Sequence, residues 1–204
     1  MKRCKHALVA FALTLCAVAL SVAQVGDPAG DKPTGFRADL LGQIEYVQKQ
    51  IMDLENAIPD KKMAWRPAKG VRSVGEVYMH IALSNYFLAK FAGVELPADV
   101  KLPEFSEMSK WEASTTNKKE IAGKLTASFD FLKTSIGKMP DADLEKPVTF
   151  FGQETNVRGM LLTAFAHHHE HLGQSIAYAR MNGIVPPWTA AQQAAEKKEK
   201  KSGM

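Results

Sequence analysis

Apolar residues recur along much of the chain at alternating intervals of four and three, the spacing that puts them on one face of an α-helix. Four segments follow this pattern, at residues 36–58, 73–91, 117–139 and 156–182. Each segment is amphipathic, so each has an apolar face that needs a partner. The pattern therefore predicts an all-α fold, a four-helix bundle that buries these faces together.

Residues at the predicted helix ends support these boundaries. Pro59 follows the first segment, and Ser73 with Glu76 has the spacing of a capping box at the start of the second. Asn117 is a suitable cap for the third segment. The fourth ends at Gly183 and the sequence "IVPP", a glycine stop followed by proline.

The segments between the helices are uneven in length. Residues 93–116 contain two prolines and no clear periodicity, so they predict a long connection between the second and third helices, of the kind that often covers a site. The sequence "PVTFFGQETN" predicts a short hairpin or an extended turn before the fourth helix. Residues 189–204 form a polar tail, either solvated or a frayed helix.

The first 23 residues have the features of an export signal. A basic start is followed by an apolar run and by small residues at a cleavage position after Ala23. An uncleaved anchor is the alternative, but the run is slightly short for a spanning helix. We expect a signal peptide at 1–23, a flexible leader at 24–35 and one bundle domain at 36–188, in a protein exported to the periplasm or the exterior.

Removal of this segment changes what the composition implies. Cys4 and Cys16 both lie inside it, which leaves no thiol for chemistry or for a disulfide. Three of the 26 basic residues also lie there, so the rest of the chain is close to neutral beside its 22 acidic residues. We therefore expect no nucleic-acid partner and no stable membrane span after cleavage.

The fourth helix carries the most distinctive chemistry, in the sequence "AFAHHHEHLGQS". His167 and His171 are four residues apart and so lie on one face of the helix, while His168 and His171 form a less favoured pair. A second apolar stripe is expected to include Leu162 and His169. A catalytic metal site usually needs three protein ligands, and His80 on the inward face of the second helix is the available third.

Three imidazoles suit a divalent transition ion, with zinc, nickel, iron and copper all acceptable. A competing interpretation is an H-x-x-E-H motif from His167 to His171 with Glu170 as the base, but it needs a downstream carboxylate ligand that only the polar tail could supply. The candidates to accept hydrogen bonds from the ligand histidines, or to lie next to them, are Glu76, Gln174 and Glu170. Trp65, Tyr86, Trp111 and Phe151 either line the approach or pack in the core.

The sequences "WRPAKGVRSVGEVYMHIA" and "HHHEHLGQSIAYARMNGIVPP", with the order of helices between them, resemble the DinB-like superfamily of metal-binding four-helix bundles. The resemblance covers about residues 36–188 and implies that His80, His167 and His171 hold the ion. A bound ion would generate hydroxide for hydrolysis or hold a thiolate for transfer, so the ligand set favours a metal-dependent hydrolase or transferase acting on a small molecule. The resemblance also suggests a homodimer. The alternative is a non-enzymatic bundle that binds metal for stability or binds a partner.

Overall fold

The computed structural model describes residues 32–202. The expected signal peptide and most of the expected leader lie outside the described residues. The helices and strands are α1 Gly35–Ala57, α2 Val74–Phe91, α3 Met108–Glu112, α4 Lys118–Lys138, β1 Pro147–Phe150, β2 Gln153–Asn156, α5 Val157–Met181 and α6 Pro187–Ser202. Short 3₁₀ turns occur at Asp60–Lys62, Phe105–Glu107 and Asp141–Glu145.

The predicted all-α bundle is confirmed, with the long helices α1, α2, α4 and α5 as its four members. Helix α2 packs against α4 and α5, and α1 packs against the same two helices. These four interfaces close a ring in which α1 and α2 occupy opposite corners. The arrangement leaves α2 and α5 side by side, so the helices that carry the histidines are neighbours.

The apolar spacing explains how each helix faces this core. On α1, Leu40, Ile44, Val47, Ile51 and Leu54 are all at most 4% exposed. They repeat at intervals of four and three, so the buried face follows directly from the sequence pattern. No helix within residues 32–202 is long and apolar enough to cross a membrane.

The predicted caps at Ser73 and Asn117 both form, and the structure adds a third at Asn156. Ser73 accepts a hydrogen bond from the Glu76 amide while the Glu76 carboxylate accepts one from the Ser73 amide, which completes the capping box at α2. The side chains of Asn117 and Asn156 cap α4 and α5 in the same way from their own positions. These contacts satisfy amides that a helix start would otherwise leave free.

The two connections that the sequence left open are now defined. Strands β1 and β2 form an antiparallel hairpin, with Phe150 paired to Gln153. The long connection between α2 and α4 contains the Phe105–Glu107 turn and the short helix α3. Both segments lie beside the histidines and contribute residues to that region.

One expected stripe on α5 is wrong at Leu162 and His169. Leu162 is 47% exposed and His169 is also exposed, whereas Leu161 is 1% exposed and His168 is fully buried. The buried arc at His168 is set by the angle at which α2 and α4 pack beside α5, since His168 contacts Asn85 and Phe129. The sequence alone did not specify that angle.

Candidate metal centre

Three histidines converge where α2 meets α5. The Nε2 atom of His167 lies 3.0 Å from Nε2 of His80 and 3.1 Å from Nε2 of His171. Within the part of the chain that the structure describes, these three side chains form the one group whose ligand atoms lie close enough to share a metal ion, all within 4.8 Å of one another. The structure thus brings together the three histidines that the sequence singled out.

The hydrogen bonds of the outer two rings fix the positions of their protons. Nδ1 of His80 donates to Oε1 of Glu112 at 2.6 Å, and Nδ1 of His171 donates to Oε1 of Gln174 at 2.8 Å. A neutral imidazole carries one proton, so Nε2 in both rings keeps its lone pair. Both lone pairs are directed towards the third ring, His167.

The His167 ring cannot donate a full hydrogen bond to both His80 and His171. A proton on Nε2 of His167 can be donated fully to only one of the two lone pairs beside it, and its Nδ1 atom is buried without a hydrogen-bond partner. A cation among the three Nε2 atoms would interact with all three lone pairs. The nitrogens of a tetrahedral zinc site lie about 3.4 Å apart for zinc to nitrogen bonds of about 2.05 Å, which is close to the observed spacing. The residues present therefore fit a metal ion.

Electrostatics favour the same conclusion. Burial, together with smaller contributions from the neighbouring imidazoles, lowers the pKa of His167 to about 2. Burial also lowers the pKa of His171, although its hydrogen bond to Gln174 opposes this. Both rings are therefore neutral near pH 7, which is the form of histidine that binds metals.

Glu112 is the principal residue that sequence analysis missed. Its side chain is only 2% exposed and it accepts hydrogen bonds from His80 and from both Nε and Nη2 of Arg72. Burial would raise the pKa of Glu112, but the hydrogen bonds from His80 and Arg72 and the positive charge of Arg72 outweigh this effect and hold the pKa below its usual range. A charged carboxylate therefore faces the imidazole proton. Glu112 belongs to α3, inside the connection without periodicity, so no local pattern identified it.

The structure separates the three residues expected around the ligands. Gln174 contacts His171 and also donates to the hydroxyl of Tyr178. Glu76 has its carboxylate committed to the capping box and to Arg66, and the carboxylate that meets His80 belongs to Glu112 instead. Glu170 is exposed and stands outside the histidine group.

His168 has a different role from its neighbours in the run. It is fully buried, and its Nε2 atom donates to Oδ1 of Asn85 at 2.6 Å. Asn85 in turn donates to Ser128, whose hydroxyl donates to the backbone oxygen of Leu125. This series of hydrogen bonds links α5, α2 and α4 through the core and leaves His168 directed away from the other histidines.

The bundle and this cluster define a class of protein, a four-helix bundle with three converging histidines that could hold a metal ion. The chain belongs to the DinB superfamily, whose family model matches residues 43–175.

Solved structures show the same fold at low sequence identity. A DinB-like protein from Bacillus cereus is 20% identical with a TM-score of 0.63, and the match covers 74% of this chain and 95% of that one. A DinB-like protein from Bacillus subtilis is 17% identical with a TM-score of 0.55, over 72% of this chain and 93% of that one. A search of curated proteins gave no match.

Proposed function

We propose that the chain is an exported metalloprotein that binds one divalent transition ion through His80, His167 and His171 and uses it in a hydrolase or transferase reaction on a small molecule. The observation that carries the proposal is the convergence of the three Nε2 atoms of these histidines. Glu112 and Gln174 accept hydrogen bonds from Nδ1 of His80 and His171, so Nε2 of both rings is free to bind an ion. Zinc, nickel and iron all suit such a ligand set.

The residues around the ligands prepare them for binding. Glu112 and Gln174 orient the rings of His80 and His171 and select the tautomer with a free Nε2, the usual role of hydrogen-bond partners around a metal. Arg72 keeps Glu112 charged and fixes both of its oxygens. The negative charge of Glu112 lies against the His80 ring and favours a cation bound on the opposite nitrogen.

Three protein ligands leave room for a further ligand, which is the arrangement of catalytic rather than structural zinc sites. A divalent ion bound there supplies a positive charge that lowers the pKa of a water molecule or holds a thiolate. The protein contributes a partly buried setting, since only 12% of the His80 side chain and 6% of His171 are exposed. Low solvent access strengthens the electrostatic effect of that charge.

Turnover can be tested with the chain purified without a polyhistidine tag and loaded with each ion in turn. Ester, amide and thiol-transfer substrates would be screened before and after chelation, with His167→Ala as the inactive variant and His169→Ala as the matched control on the same helix. The proposal predicts activity that chelation and His167→Ala abolish and His169→Ala retains. Stoichiometric metal without turnover on any substrate, together with a lower melting temperature on chelation, would favour the non-enzymatic alternative.

The export part of the proposal rests on residues 1–23, which lie outside the described part of the chain. Its support is the basic start, the apolar run and the small residues before the cleavage position. Expression in the native host followed by fractionation and N-terminal sequencing tests it. A periplasmic or secreted chain that begins at Gln24 is expected, and an intact Met1 on a cytosolic chain would contradict it.

A further inference from the structure

An aromatic cavity opens directly onto the histidine cluster. It has a volume of about 250 Å³, and His80, His167 and Ser84 contribute the polar side chains of its lining. Its remaining walls are apolar and mostly aromatic, formed chiefly by Phe87, Phe91, Phe105, Met108, Phe150 and Phe151. A second, polar cleft lies near Arg72 and Glu112. The aromatic cavity shares none of its lining residues with that cleft, so it reaches the histidines by a separate, apolar route.

The aromatic wall is assembled from three separate parts of the chain. Helix α2 supplies Phe87 and Phe91, the connection before α3 supplies Phe105, and the hairpin supplies Phe150 and Phe151. Phe105 stacks on Phe87 with ring centroids 5.1 Å apart and lies 5.5 Å from the ring of Phe151. Phe105 is nevertheless 51% exposed and Phe151 is 67% exposed. Large aromatic side chains that remain this exposed beside a cavity are typical of a binding site.

The backbone at Phe151 supports a role for this ring. The pairing of Phe150 with Gln153 leaves Phe151 and Gly152 as a two-residue turn, with φ of +47° and +78°. Such turns favour Asn or Asp before Gly, and a bulky residue with positive φ is strained by about 1 to 3 kcal/mol. Phenylalanine is thus a poor choice for the turn itself, so its ring at the cavity mouth is the feature that needs an explanation.

We infer that the ligand or substrate of the proposed metal site is a small molecule with an apolar body, one aromatic ring or a short acyl chain, and a single metal-binding head group such as a carboxylate, hydroxamate or thiolate. The inference rests on the proposed function, since the head group must reach the ion. A cavity of about 150 Å³ already accepts benzene, so this one has room for a ring and a short linker.

The lining also argues against other classes of ligand. Within residues 32–202, no lysine, arginine, aspartate or glutamate contributes to it. The body of the ligand would be desolvated without any ionic partner, which disfavours charged bodies such as phosphorylated metabolites or peptides with several ionised groups. An apolar body, in contrast, gains affinity from every methylene that it buries, roughly fourfold for each.

The test compares two probes that share a head group. Acetohydroxamate and 3-phenylpropionohydroxamate would be titrated calorimetrically into the metal-loaded chain. The larger probe is expected to bind at least tenfold more tightly. Equal affinities with metal bound would overturn the cavity inference and leave the proposed metal site intact, whereas a chain that takes up no metal would overturn both.

Variants of the cavity test whether its aromatic wall causes the tighter binding of the phenyl probe. Phe151→Asn removes the ring and creates the preferred Asn-Gly turn, so the variant is expected to fold with an unchanged or higher melting temperature. It should reduce the advantage of the phenyl probe at least threefold and leave acetohydroxamate binding and metal content unchanged. Leu162→Ala, which removes an exposed apolar side chain outside the cavity lining, is the matched control. An advantage that survives both Phe151→Asn and Phe105→Ala would contradict the inference.

Discussion

At the scale of single residues, ring protons determine what the three histidines can bind. Glu112 and Gln174 each accept a hydrogen bond from the Nδ1–H of an outer histidine, which leaves both Nε2 lone pairs directed at His167. Because the pKa of His167 is lowered, this ring is not protonated near pH 7 and carries no positive charge to attract the two lone pairs. A metal ion would attract all of these lone pairs. The hydrogen bonds of Glu112 and Gln174 therefore support metal binding as strongly as the spacing of the histidines does.

Glu112→Gln is predicted to weaken metal binding by roughly 10- to 100-fold, the usual effect of losing a hydrogen-bond partner of a ligand. The amide keeps an acceptor oxygen but loses the charge that polarises His80 and pairs with Arg72. Competition with a chelator of known affinity measures the change. Glu107→Gln, on the preceding turn and paired only with the exposed Lys110, is the control. An affinity equal to wild type in Glu112→Gln would show that the carboxylate has no such role.

His168→Ala is predicted to destabilise the fold by about 2 to 4 kcal/mol while the metal content stays the same. The substitution opens a cavity in the core and leaves Oδ1 of Asn85 without its donor. Urea unfolding measures the stability, and His169→Ala, which changes an exposed side chain, should have little effect. Loss of metal in His168→Ala with normal stability would instead identify His168 as a ligand.

At the scale of helices and strands, the sequence predicted what local patterns determine. The apolar spacing defined the four long helices, and the caps at Ser73 and Asn117 marked the starts of two of them, because both signals arise within one or two turns. The position of Glu112 beside His80 was not predictable, since it depends on how an irregular connection folds back over α2. The burial of His168 depended on how α2 and α4 pack beside α5, another tertiary effect.

The contact between α1 and the Asp141–Glu145 turn gives a prediction about pH. Arg37 on α1 is 5% exposed and bonds Asp141, and this hydrogen bond holds the pKa of Asp141 below its usual 3.8. A lowered carboxyl pKa stabilises the fold above the unfolded pKa, and this contribution is lost as the pH falls through the folded value.

Asp141→Asn should therefore be less stable than wild type at neutral pH, with a difference that shrinks as the pH falls below about 4. Denaturant unfolding across pH 3 to 7 measures it. Asp130→Asn, which removes an exposed partner of Lys133 within α4, is the control. A difference that is constant with pH would mean that the charge of Asp141 does not contribute.

At the scale of the whole molecule, the cluster joins α2 to α5, two of the four helices that close the bundle. Metal that binds the folded state should therefore stabilise the entire domain. An ion at 100 times its dissociation constant adds about 2.7 kcal/mol, which raises the melting temperature of a domain of this size by about 5 to 10 °C. Differential scanning calorimetry with and without ion measures this. His80→Ala should abolish the increase, and an increase of the same size in that variant would place the ion elsewhere.

The metal content of the purified chain shows whether the three histidines bind an ion. The protein, made without a polyhistidine tag, would be incubated with zinc, nickel and iron in turn, freed of excess ion and analysed by inductively coupled plasma mass spectrometry. We predict close to one ion per chain in the wild type and in His169→Ala, and little or none in His80→Ala and His167→Ala. A wild type that remains empty with every ion, or a His167→Ala variant that retains a full complement, would contradict the metal centre.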